Sequence, residues 1–341
     1  MYAIAVTLSV AAAAGPALGA SVHAGAKKHA TVATGPRGPR GPRGFAGATG
    51  PPGPPGPSGA PGASGSAGAG FLRTIVVSPV GANASANGTA LLAALAAITG
   101  AGAANPYLVW IEPGVYDLGS SSLLIPSHVD VQGSGQDVTT IESEGEVAVL
   151  AGPYTELREL TVADANALGS AEAIDTSGGL HDVTATASGT SAATGVLAQG
   201  PTMGIVDVTA QASASATSSF VQGIETLDSA QIEGGSFTAT EDAAAGQAAA
   251  LFAESPATLH GVSLRASGGA NPYAVDIVAD SAAVAVADST LVAAGGFYVG
   301  AGDTLGVAGS QIPGVAISGA GTAVCPDDWL ADYAMASNGC S

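Results

Sequence analysis

Basic residues are almost missing from most of this chain. After residue 72 there are three, Arg73, Arg158 and Arg265, against all 27 acidic residues, a net charge of −24. Such a surface repels polyphosphates and excludes nucleic acid as a partner of that region. Aromatics are also scarce, at 4%, so a core must be built from Val, Ile, Leu and Ala, which suits thin stacked strands better than packed helices. Two cysteines, Cys325 and Cys340, rule out a disulfide-rich scaffold. With no His or third Cys nearby they are not a metal site. In an exported chain they pair to staple the tail, or else bridge chains. Long apolar runs are missing too. The first, Ala3 to Ala14, is too short to span a bilayer. With the small-residue sites Ala17-Leu18-Gly19 and Val22-His23-Ala24, it reads as a secretory signal over 1–24. The lack of basic residues ahead of it places the true start upstream of Met1.

Glycine is abundant and, in one stretch, strictly periodic. Twelve Gly-X-Y triplets run from Gly35 to Gly70, opening with Gly-Pro-Arg three times and passing through Gly-Pro-Pro twice. A glycine at every third position is required when three chains share one crowded axis. The reading is a collagen-like triple helix, hence a homotrimer. Residues 1–70 carry five basic residues and no acid, so the trimer gathers positive charge at one end. The expected organisation is a signal at 1–24, a basic linker at 25–34, the collagen-like run at 35–70, a repeat domain at 71–324 and a Cys-bounded tail at 325–341.

From Leu157 the chain repeats a six-residue phrase: apolar, two turn-type residues, small or apolar, Ser/Thr, apolar. Copies start at Leu157, Leu180, Ile205, Ile232, Leu259, Val286 and Val307. Another short strand precedes each copy, centred on Val149, Ile174, Val196, Ile224, Leu251, Val275 and Tyr298. Repeats this short, with short strands and no helices, predict a parallel β-helix. The fourth and sixth phrase positions point inward and the fifth outward, making a hydroxyl ladder. Ahead of the repeats, Thr74 to Val77 and Leu108 to Ile111 read as strands. Thr89 to Ile98 reads as a helix, capped by Asn87 or Gly88. Tyr107, Trp110 and Tyr116 are expected to pack the first coil. The sequons at Asn83 and Asn87 are explained equally by glycosylation or by a turn and a cap.

The segment Val109-Trp110-Ile111-Glu112-Pro113-Gly114-Val115-Tyr116 resembles the first coil of pectate-lyase-like and pectinesterase-like proteins. So do Leu123-Leu124-Ile125-Pro126, Val129 to Gly135 and Thr140-Ile141. The resemblance covers about residues 74–142 and implies an all-β fold. That fold is a single-stranded right-handed parallel β-helix with a helix over its N-terminal end, here preceded by the collagen-like Gly-X-Y segment. Gln247-Ala248-Ala249-Ala250-Leu251 also resembles a pectinesterase motif, but the aspartates and arginine that follow it in that family have no counterpart here. It reads as one more strand. The calcium-binding acids with a basic partner used by lyases of this fold, and the paired Asp with Gly-His-Gly used by its hydrolases, are missing as well.

One charged constellation stands out. Glu159, Asp182 and Asp207 share the third phrase position in successive coils, so their carboxylates stack at about 5 Å intervals. The column is either a solvated turn or a Ca²⁺ site, Ca²⁺ being a hard cation that would relieve their repulsion. No other cofactor is expected. The functional expectation is a secreted or cell-surface structural or adhesive protein without catalytic activity. A trimerising stalk, similar to those of bacterial collagen-like proteins, would present acidic β-helix heads to an extracellular glycan or a host or matrix surface. The alternative is a polysaccharide-active lyase or esterase.

Overall fold

The computed structural model describes residues 73–200, 203–215, 220–312 and 316–325. The chain divides into the units Met1–Ala63 and Ser64–Ser341, and all described residues belong to the second. The export signal, the collagen-like run and Cys340 lie outside the described residues. No described helix is long and apolar enough to cross a membrane.

The coils have three faces with a short strand on each, except that Glu156–Asn166 and Gly179–Gly189 each run on through the first and second faces as one strand. After β1 (Arg73–Val77) and α1 (Ala84–Ala96), the first coil comprises β2 (Tyr107–Ile111), β3 (Gly114–Asp117) and β4 (Leu123–Ile125). The next coil, Val129–Gln132, Thr139–Ser143 and Val147–Ala151, pairs parallel with these three in order. The same parallel pairing then advances one coil at a time to Thr322–Val324 on the first face and Ile317–Gly319 on the third. The third face is a continuous nine-stranded sheet. This is the parallel β-helix expected from the repeats.

Parallel stacking puts identical phrase positions on top of each other. Leu157, Leu180, Ile205, Ile232, Leu259, Val286 and Val307 are in direct register. All are at most 2% exposed. Each aliphatic side chain so buried contributes about 1.5–3 kcal/mol, and none could do so in a coil standing alone. The outward ladder is present as expected, with Thr161, Thr184, Thr209, Ser236, Ser263 and Thr290 in register. Where the inward fourth position carries serine, the hydroxyls serve the corner backbone. Ser289 Oγ donates to the Ala287 carbonyl at 2.6 Å and accepts from the Val262 N–H at 3.1 Å.

The helix begins earlier than expected. Asn83 caps it, its side chain accepting from the N–H groups of Ser85 and Ala86. Asn87 and Gly88 lie inside the helix, and both are buried. Asn87 Oδ1 accepts from Val80 N at 2.7 Å and its Nδ2 donates to the Val115 carbonyl at 2.9 Å, tying α1 to β3. Gly88 is where the helix presses on β3; a Cβ there would fall 1.9 Å from the Asp117 carbonyl oxygen. Leu91 and Leu95, one turn apart, close the N-terminal end of the core. Of the first-coil aromatics, Tyr107 and Tyr116 are buried, but Trp110 is 40% exposed. Alternation along β2 already turns Val109 and Ile111 inward, which leaves Trp110 on the outside.

Candidate functional site

The structure brings Glu159, Asp182 and Asp207 to equivalent positions in successive coils. All three have left-handed backbone, with φ of 55°, 52° and 52°. Gly234, Gly261, Asp288 and Gly309 continue the column with φ between 50° and 69°. The corner between the first and second faces therefore demands a residue that tolerates positive φ, which Gly and Asp supply. The side chains turn to local partners. Glu159 Oε2 accepts from Gln132 Nε2 at 2.8 Å, and Asp182 pairs with His181 at 2.8 Å. Among the described residues no group of three or more His, Cys, Asp or Glu is arranged to hold a metal ion. Cys325 is buried and disulfide-bonded.

The chemistry concentrates on the third face. Its strands turn two successive residues inward, as Ala173-Ile174 and Gly223-Ile224 do. The inner of these positions must be small; a Cβ on Gly223 would lie 2.7 Å from the Ala250 carbonyl oxygen. This double turn leaves a single outward residue after each pair. Asp175, Leu197, Glu225, Phe252, Asp276 and Tyr298 are these residues, in register through six coils. Acid and apolar side chains alternate through these six coils, while Leu124 and Leu150 precede Asp175 and Ser318 follows Tyr298 in the same register.

Toward the C-terminal end the face forms a groove of about 360 Å³ lined by Phe220, Gln247, Phe252, Tyr273, Asp276 and Tyr298. Phe220 and Phe252 meet edge to face with centroids 5.0 Å apart, and Tyr273 and Tyr298 lie 5.7 Å apart. Asp276 stands between Phe252 and Tyr298 in the column. It is 5% exposed and its Oδ1 has no hydrogen-bond partner. Burial alone pushes its carboxyl up to about 7, so near neutral pH it is a proton donor. Further along the face, Glu172 is pushed up to about 8, first by burial and then by the charges of Asp175, Glu225, Asp164 and Glu146. Burial also raises Asp175 and Glu225. Two glutamines steady this pair: Gln199 Nε2 donates to Asp175 Oδ1 at 2.6 Å, and Gln222 hydrogen-bonds Glu225.

Among the described residues no strand of this face carries Lys or Arg. Arg73 donates to the Tyr107 hydroxyl at 2.7 Å, Arg158 pairs with Glu156 at 2.8 Å on the first face, and Arg265 is on the second. A larger groove of about 650 Å³ crosses the first face beside Glu233 and His260. None of its lining side chains is a buried polar group lacking a partner, so it has the volume without the chemistry.

Sequence reasoning placed Gln247 on a strand and there it is, exposed at the groove's edge. It missed Asp276 and the aromatic pairs, which come from strands more than 20 residues apart and meet only through coil register. The usable signal was the residue following five of the seven expected third-face centres, from Ile174 to Val275: Asp175, Leu197, Glu225, Phe252 and Asp276.

No protein-family model and no curated protein sequence matches this chain. Solved structures match at the level of fold. A pectin methylesterase from carrot is similar over 75% of this chain and 85% of its own, at 11% identity and a TM-score of 0.46. The pectin methylesterase PemA from Erwinia chrysanthemi matches over 79% and 92%, at 12% identity and a TM-score of 0.37. The A-module of a mannuronan C-5 epimerase from Azotobacter vinelandii matches over 73% and 92%, at 13% identity and a TM-score of 0.32. The expectation of a chain without catalytic activity is corrected to an open one: the structures similar in fold are carbohydrate-active enzymes, and at 11–13% identity the likeness is one of fold. That expectation rested on missing motifs, and a motif search cannot see an acid such as Asp276 that is assembled across coils.

Proposed function

We propose that this protein is an extracellular carbohydrate-active protein that binds a pyranose chain in the third-face groove and uses Asp276 as its proton donor. The observation that carries this reading is Asp276 itself, a carboxyl 5% exposed, without a partner on Oδ1, set between aromatic rings and lining an open groove. Sugar rings present apolar C–H faces that stack on aromatic side chains, and Phe252, Tyr273 and Tyr298 offer such faces. An acid with a pKa near ambient pH is suited to protonate a leaving oxygen. Glu225, two coils away in the same column, is the carboxylate available to activate water on the far side. Their strands are about 9.6 Å apart with Phe252 between them, so the two carboxyls must lean toward each other to bracket a water molecule.

The collagen-like run at 35–70 would gather three such domains into one secreted assembly, so that weak sites act together. The test is a panel of neutral polysaccharides incubated with the full chain, with new reducing ends as the readout. We expect Asp276→Asn to lower the rate at least 100-fold with an unchanged circular dichroism spectrum, the size of effect general-acid loss produces. Wild-type activity should fall as pH rises through 7. Equal activity of wild type and Asp276→Asn would overturn the assignment.

A further inference from the structure

From the alternation along the third face, we infer that the groove's glycan is a linear β-1,4-type chain with two-fold alternation, lying along the stacking axis. This rests on the proposed carbohydrate role of the face. In such a chain each ring is turned over relative to the one before, so the same edge recurs only at every second sugar. The six-coil run Asp175, Leu197, Glu225, Phe252, Asp276, Tyr298 has the same symmetry, with acid at every second coil and an apolar or aromatic side chain between, and it is bounded by Leu150 on one side and Ser318 on the other. Two coils span about 9.6 Å, comparable to one disaccharide repeat of an extended pyranose chain.

The flanking residues place all six side chains outward. Ile174, Thr176, Ile224, Thr226, Val275 and Ile277 are fully buried beside them. Asp276, 95% covered and with no partner on Oδ1, lines the groove between Phe252 and Tyr298. The glutamine-held carboxyls of Asp175 and Glu225 repeat the acidic position toward the N-terminal end. A chain coiled by α-1,4 links cannot keep this phase over three periods. A polyuronate is disfavoured as well, because the face offers carboxyls and no cation to meet its charges.

Titration calorimetry of the full chain with cellohexaose, an N-acetylglucosamine hexamer and maltohexaose tests this. Cellohexaose and maltohexaose contain the same sugar and differ only in linkage. The better β-linked hexamer should bind at least tenfold tighter than maltohexaose and at least tenfold tighter than its own disaccharide. Asp175→Asn, four coils from Asp276 in the same column, should weaken that hexamer about fivefold or more while leaving the disaccharide unchanged, a split that mere loss of structure would not produce. Equal binding of maltohexaose, or no gain with length, overturns the two-fold reading and leaves the groove as a sugar site. Silence of all three sugars removes both the inference and the groove assignment beneath it.

Discussion

Raising the pH from 5 to 8 lowers the melting temperature of the β-helix, and Asp276→Asn removes a large part of that fall. In the folded chain the Asp276 carboxyl is raised to about 7 by burial, against about 3.9 when unfolded. Below about pH 4 both states hold the proton and the group is neutral toward stability. Between about pH 4 and 7 the unfolded chain has released it and the folded chain has not. The folded state then binds more protons, so stability falls as pH rises and levels off once the native carboxyl ionises. Of that shift of about three units, about two fall between pH 5 and 8, roughly 2.7 kcal/mol at one site. For a domain of this size that is a drop of roughly 5–10 °C. Glu172, raised from 4.5 to about 8, lowers stability through the same pH range as Asp276 and about one unit beyond it. Part of its shift comes from Asp175 and Glu225, so the two contributions do not add. Calorimetry at pH 5, 6, 7 and 8 measures this; a flat or rising profile, or an Asp276→Asn profile parallel to wild type, contradicts it.

The second large effect is at the N-terminal cap. Gly88→Ala places a methyl group 1.9 Å from the Asp117 carbonyl oxygen, and neither backbone can yield without breaking a tie. On one side Asn87 bonds Val80 and Val115, and on the other Ser85 Oγ donates to Asp117 Oδ2 at 2.6 Å. Overpacking of this kind costs about 3 kcal/mol. The expected result is a melting temperature roughly 5–10 °C lower, with amide exchange along α1 accelerated. Gly119→Ala is the control. Its φ is +60° but nothing lies within 4 Å of the added carbon, so only the left-handed backbone strain of about 1–2 kcal/mol remains. Gly88 lies inside a helix without positive φ, where Ala is intrinsically favoured over Gly, so a Gly88→Ala loss no larger than that of Gly119→Ala would contradict the close-approach account.

The coils were legible in the sequence because parallel stacking makes each phrase position answer to the same environment. The inward ladder from Leu157 to Val307 and the outward Thr/Ser ladder repeat often enough to override variable loop lengths. The third phrase position carried a different message from its charge. Glu159, Asp182 and Asp207 share it with Gly234, Gly261 and Gly309 because all six adopt positive φ. The helix start was misplaced because Asn83 and Asn87 are both good caps locally, and only packing against β3 makes Asn87 an interior tie. The candidate site was the least legible part. Its column mixes Asp, Leu, Glu, Phe and Tyr, so no phrase recurs, and burial of Asp276 depends on Phe252 and Tyr298 from the coils on either side.

Hydrogen exchange of the full chain with and without a saturating β-linked hexasaccharide tests the central claim most directly. The account predicts new protection in Phe220–Thr226, Gln247–Ala253 and Asn271–Ile277, the third-face strands that carry the groove. It predicts none in Thr209–Ala214 or Ser236–Glu241 on the second face. Protection confined to the first or second face, with the strand bearing Asp276 unchanged, would contradict it.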